Sequence, residues 1–154
     1  MLRLLVVDDS EVVRLKLRRL VEAERGMELA GEAPDGEAGV RLASQLRPDV
    51  VVMDLKMPGI SGIEATWRLG TAAPGSRVLV LTVSDELDDA AGAILAGAHG
   101  YVIKGADDDE LVAAILGVAA GESVVSPAVA NALIERVGAA PKPPRRSGPL
   151  PGRY

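Results

Sequence analysis

Short apolar runs and helix-spaced apolar positions alternate along the first 120 or so residues. Residues 3–7 (RLLVV) are an apolar run that stops at Asp8-Asp9-Ser10. Beyond it Val13, Leu17, Leu20 and Val21 fall at i, i+4, i+7 and i+8 with Arg14, Lys16, Arg18 and Arg19 between them, the pattern of a one-sided helix that Gly26 is expected to end. Residues 27–33 (MELAGEA) alternate as a second strand before the turn signal Pro34-Asp35-Gly36. A second helix is expected over 36–46, with Pro48 as its breaker. Residues 49–53 (DVVVM) are the strongest strand and end at Asp54; Met57-Pro58-Gly59 opens a loop, and a third helix follows over 62–69. After Pro74-Gly75, residues 77–81 (RVLVL) predict a fourth strand ending at Thr82, then an alanine-rich helix over 85–96 closed by Gly97. Residues 101–103 (YVI) form a fifth strand ending at Lys104, and Leu111, Ile115 and Val118 mark a fifth helix.

Five strands alternating with five helices imply right-handed crossovers, and hence a doubly wound α/β domain with a parallel sheet. Ligands of such sheets bind beyond the carboxyl ends of the strands. The residues there are Asp8 and Asp9, Asp54, Thr82 and Lys104, which should meet in one small patch. Singly, each has an ordinary structural reading. Asp8, Asp9 and Ser10 suit a helix N-cap, Asp54 a turn, Thr82 or Ser84 the cap of the next helix, and Lys104 a solvated charge. Together they say more. Three close carboxylates cannot all stay ionised without a compensating cation, and an oxygen-only donor set suits Mg2+. A lysine and a hydroxyl add a counter-charge and a donor for phosphate. Such a set can run phosphoryl transfer with Asp54 as the nucleophile.

Composition narrows the field. Nearly half of the 154 residues are apolar, mostly Val, Leu, Ala and Ile, with no Phe and one Trp, which suits a sheet buried on both faces. There is no cysteine, so disulfides and thiolate metal sites are excluded. The single histidine, His99, lies among small residues and is expected to be a turn or surface residue with no role. The apolar stretch at the start is too short for a signal peptide and no segment is long enough to span a membrane, which makes a cytoplasmic protein without membrane contact the expectation. A net charge of −5 argues against a nucleic-acid surface over the whole chain, although Lys142, Arg145, Arg146 and Arg153 make the last residues basic.

The segments LLVVDDS, VVVMDLKMPGISGIEA, VLVLTVS and GAHGYVIKG, in this order, closely resemble the receiver domain of two-component response regulators, over about residues 2–120. The resemblance implies a flavodoxin-like sheet of order 2-1-3-4-5, flanked by five helices with a short linker helix after them. It implies that Asp54 accepts a phosphoryl group from a sensor histidine kinase, in a protein that helps catalyse its own phosphorylation and dephosphorylation and is not otherwise an enzyme. Asp9 matches the direct Mg2+ ligand, Asp8 its partner acting through water, and Lys56 the position whose backbone carbonyl binds the metal. Thr82 matches the switch hydroxyl, Lys104 the phosphate-pairing lysine and Tyr101 the switch aromatic, whose inward movement reshapes the face formed by helix four, strand five and helix five. Two departures stand out. Gly105 replaces a frequent proline after the lysine, and Ser84 leaves water more access to the acyl phosphate than a bulky residue would.

The resemblance extends past the domain. Ser126-Pro127 is a cap and first-turn pair, and Val129, Leu133 and Val137 repeat at i, i+4 and i+8, as in the linker of the NarL/FixJ (LuxR-type) class. There it leads to a helix-turn-helix domain; here a Pro- and Arg-rich stretch follows. The expected organisation is a receiver over 1–121, a linker over 122–138 and a flexible tail over 139–154. DNA contact and transcriptional control are expected only through an effector domain that this chain lacks, and a homodimer through helices one and five or through the switch face is an expectation of the resemblance. Three rivals remain. A dehalogenase-type hydrolase wants Asp-x-Asp after the first strand, where this chain has adjacent acids. A flavin module wants a Ser/Thr/Gly-rich loop there. A phosphorylation-independent pseudo-receiver, acting as an interaction module, would need no Mg2+.

Overall fold

The computed structural model describes residues 1–83, 86–126, 129–131 and 133–135, with Leu87 described by its backbone alone. The elements run β1 (Leu2–Val7), α1 (Glu11–Glu22), β2 (Met27–Ala33), α2 (Gly36–Leu46), β3 (Val50–Met53), α3 (Gly62–Ala72), β4 (Arg77–Thr82), α4 (Leu87–Leu95), β5 (Gly100–Ile103) and α5 (Asp108–Ala119). All strand pairs are parallel, in the order β2-β1-β3-β4-β5. The expected flavodoxin-like doubly wound fold is therefore the observed one. Residues 129–131 and 133–135 are helical, and Ser126 Oγ accepts the Val129 N–H at their start. The rest of the expected linker helix, the tail and Ser84 lie outside the described residues.

Strand periodicity sorts the core into two layers. Leu4, Val6, Val50, Val52, Leu79, Leu81 and Val102 face α1 and α5, packing on residues such as Leu17, Val21, Leu111 and Ile115. Their neighbours Leu5, Val7, Val51, Met53, Val78, Val80 and Tyr101 face α2, α3 and α4. Both layers are apolar because crossover helices cover both faces.

Some boundaries differ from the sequence expectation. The first helix ends at Glu22 with Ala23 as its cap, so Gly26 lies in the turn beyond it. The second helix keeps its expected range and ends at Leu46, with Arg47 as its cap in the left-handed region at φ 50°, just before Pro48. The third runs on to Ala72 because Leu69 is drawn into the core and holds the last turn down.

Candidate functional site

Register places the acids. Val7 of β1 pairs with Met53 of β3, so Asp8 and Asp54 are the first residues past two adjacent strand ends. The Asp54 N–H donates to Val7 O (2.9 Å) and the Asp8 N–H to Ala33 O (3.0 Å), which extends the ladder to both acids. Both are almost fully buried, at 2% exposure for Asp8 and 4% for Asp54, whereas Asp9 is exposed. Carboxylate oxygens of Asp8, Asp9 and Asp54 lie within 4.8 Å of one another.

The lysine arrives from the far side of the sheet. Thr82 pairs with Ile103, and the Lys104 N–H donates to Thr82 O (2.7 Å), so the end of β5 is tied to the end of β4. Lys104 Nζ reaches back to Asp8 Oδ2 at 2.9 Å and to Asp54 Oδ2 at 3.4 Å. Gly105 follows at φ 110°, a conformation that an L side chain rarely adopts. Thr82 is fully buried at the same edge. Tyr101, three residues before the lysine, is buried within the α2–α4 layer and lies outside the charged cluster. Lys56 is mostly exposed, and its ammonium turns to Asp89 of α4 (3.5 Å).

Burial sets the electrostatics. It raises the Asp54 carboxyl above the usual carboxylate range, the charge of Asp8 adds to the rise, and Lys104 works against both. For Lys104, burial is the largest single influence and would lower its pKa. The hydrogen bond it donates to Asp8 and the charges of Asp54 and Asp8 outweigh it, so the ammonium is held above its usual range.

Other residues that build the site carry no obvious motif. Ser10, not Asp8 or Asp9, caps α1 by accepting from the Val13 N–H, and Asp8 Oδ1 accepts the Ser10 N–H. Arg14 donates to Asp8 O (2.6 Å) and also pairs with Glu32, which fixes the acidic turn from behind. A cation one turn into a helix that follows two acids was the available signal. Gly62 sits where a Cβ would stand 2.6 Å from the Leu55 Cα, so only glycine lets α3 start this close to the Asp54 strand end. His99, expected as a turn or surface residue with no role, lies in the connection before β5; it is partly buried, and its Nδ1 accepts the Val78 N–H at 3.1 Å.

Fold and site together define a doubly wound α/β domain whose strand ends gather an acidic cluster and one lysine. The family model described as the response regulator receiver domain matches residues 4–116. The chain is 44% identical over 133 residues to the response regulator GacA of Pseudomonas aeruginosa, covering 86% of this chain and 62% of that protein. It is 39% identical over 137 residues to the transcriptional regulatory protein LiaR of Bacillus subtilis, covering 89% of this chain and 65% of that one. A solved two-component response regulator of the LuxR family from Aurantimonas superposes with a TM-score of 0.79 at 40% identity, over 87% of this chain and 96% of that one. The chain belongs to the response regulator receiver domain family. It spans about three fifths of the length of these curated relatives, and no helix among its described residues is long and apolar enough to cross a membrane.

Proposed function

We propose that the chain is a working receiver that takes a phosphoryl group onto Asp54 from the phosphohistidine of a sensor kinase. The observation that carries this reading is the buried Asp54 carboxylate, flanked by Asp8 and bridged to it by Lys104. A cation and acids in such a constellation, just past adjacent strand ends, have a use in phosphoryl transfer that a purely structural ion pair would not need.

An Asp54 carboxylate oxygen attacks phosphorus while the bond from phosphorus to the donor nitrogen breaks, and the imidazole leaves with that electron pair. The product is an acyl phosphate, which water later cleaves at phosphorus to regenerate the carboxylate. Lys104 Nζ, already 3.4 Å from Asp54, is placed to pair with a phosphoryl oxygen. Thr82 Oγ1 is assigned as the hydroxyl that turns to the phosphate, and Tyr101 as the ring that responds.

Mg2+ fits the donor set: three carboxylates with oxygens within 4.8 Å of one another, joined by the Lys56 backbone carbonyl that the family pattern assigns. When bound there it neutralises charge on the phosphoryl oxygens and offsets the mutual repulsion of the acids. By the family pattern Asp9 would then hold it directly and Asp8 would act through water.

The output we assign is transcriptional, through a further domain of the kind the LuxR-family relatives carry beyond this length. In that reading residues 1–121 are the receiver, 122–138 a linker and 139–154 a tail, in a protein that works in the cytoplasm.

Intact mass after incubation with acetyl phosphate and Mg2+ tests the assignment. A gain of one phosphoryl group that requires the metal and disappears in Asp54→Asn is the expected result. A folded wild type that gains nothing from acetyl phosphate or from a partner kinase would make the chain a phosphorylation-independent interaction module.

A further inference from the structure

The chain does not leave the domain after α5. Gly121, at φ 91°, turns it back along the outer edge of β5, the terminal strand of the sheet. Val124 forms a parallel bridge with Gly100: its N–H donates to His99 O (3.0 Å), and its carbonyl accepts the Tyr101 N–H (2.9 Å). At its start, an edge that would otherwise offer unpaired backbone groups is thus covered by the same chain.

The fit is close. A Cβ on Gly100 would stand 3.2 Å from the Val124 Cβ, and one on Gly117 of α5 would stand 3.0 Å from Val124 Cγ2. Beyond the bridge, apolar side chains go to both layers. Val124 packs on the α1/α5 layer, while Val125, Val129 and Leu133 pack on the layer that holds Tyr101, Ala90 and Ala93. Val129 retains only 6% exposure. The segment and β5 share the wall of a cleft of about 930 Å³ whose rim includes Lys104.

The segment therefore grips the strand that ends in the charged site. β5 has four residues, Lys104 is the next, and Lys104 now holds Asp8 and Asp54. A phosphoryl group on Asp54 would replace that carboxylate partner with a bulkier, more highly charged one and draw the lysine to a new position. On the outer side, the backbone of Tyr101 is tied to Val124. The observed docking is complementary to β5 as it stands with Lys104 on the two carboxylates. A ligand that fits one of two states better favours that state.

We propose that residues 122–126, together with Val129 and Leu133, form an intramolecular clasp on the β5 edge, seated while Asp54 is free and loosened when it carries phosphate. The proposal rests on the receiver reading above. It adds a path from the site to the segment after the domain that runs through backbone hydrogen bonds of β5 as well as through any movement of the Tyr101 ring. Coupling of this kind is reciprocal, so weakening the clasp should favour phosphorylation.

Amide hydrogen exchange, followed by NMR on the whole chain with and without acetyl phosphate and Mg2+, tests it, with occupancy read by intact mass on the same samples. Protection of the Tyr101 and Val124 amides should fall roughly tenfold on phosphorylation and stay unchanged in Asp54→Asn. Val129→Ser should raise the initial rate of phosphorylation by about fivefold while β1 and β3 amides keep their protection. Unchanged Tyr101 and Val124 protection at high phosphoryl occupancy would overturn the clasp and leave the receiver reading standing. So would a Val129→Ser variant that keeps its fold and gains no rate. Failure of the wild type to take up phosphate at all would overturn both.

Discussion

The two faces of the sheet are held by different means. On one, α1 and α5 bring Leu17, Leu20, Val21, Leu111, Ile115 and Val118, and each helix starts on a side-chain cap, Ser10 or Asp107. On the other, the buried helix residues are largely alanines: Ala43, Ala65, Ala90 and Ala93. Within that face α4 stands apart, with nine residues and no side-chain cap bond at Glu86, whereas α2 and α3 start on Asp35 and Ser61. Burying a Leu or Ile side chain stabilises by roughly 1.5–3 kcal/mol, about twice or more the contribution of a single methyl group. The domain therefore keeps a firmly packed back and a lightly anchored front. The lightly anchored element is the one beside Tyr101 and the loop after Asp54.

Substitutions can break that contrast. The largest effect is expected at Ile115, which is fully buried: Ile115→Ala should lower stability by about 3 kcal/mol in urea unfolding. Ala93→Gly, on the α4 side, should lower it by only about 1 kcal/mol. Equal losses would show that α4 carries as much of the fold as α5 does.

Lys104→Met comes next. It leaves two nearly buried carboxylates facing each other and should cost about 2 kcal/mol, less than a fully buried pair because the lysine side chain keeps 16% exposure. Thermal unfolding without metal would measure it, and added Mg2+ should recover part of the loss.

Asp54→Asn should act in the opposite direction. Burial first and Asp8 second raise the Asp54 carboxyl, so in the interval between its ordinary and raised pKa the folded chain holds a proton that the unfolded chain has released. Stability from this group therefore falls as pH rises through that interval, and stays reduced above it. The amide removes the charge. It should raise the melting temperature by a few degrees at neutral pH without Mg2+. The gain should vanish below the ordinary carboxylate range, where the wild-type group is protonated in both states.

The smallest effect is expected at Glu86→Ser, which puts a hydroxyl at a cap position where the Glu86 side chain makes no cap bond. A gain of about 0.5 kcal/mol, read as slower amide exchange confined to α4, would sharpen the contrast.

Much of this architecture was legible in the sequence because four of the five strands are apolar runs that stop on a polar residue, while β2 alternates and ends at a turn signal. Those stops, at Asp8, Asp54, Thr82 and Lys104, mark one rim of the sheet, and the parallel order follows from alternation with helices. What escaped depended on neighbours distant in sequence. His99 looked idle because its partner is the Val78 amide, which only the β4–β5 pairing brings near. Lys56 gave no hint of Asp89, since the two meet only when α3 and α4 lie side by side. Gly26 looked like a stop signal, yet the helix ends earlier because Glu24 N–H closes a turn on Val21 O.

The loop that follows Asp54 is pinned at its base. The Gly62 N–H donates to Leu55 O (2.8 Å), and Gly62 lies against the Asp54 backbone, so residues 56–61 form a bight whose two ends are fastened together. Changes at Lys56, Met57 or Gly59 can therefore alter what an incoming protein or water meets at the mouth of the site while the knot beneath keeps the strand end where it is. Diversification of partners and of reaction timing can proceed in that bight without rebuilding the chemistry it overhangs.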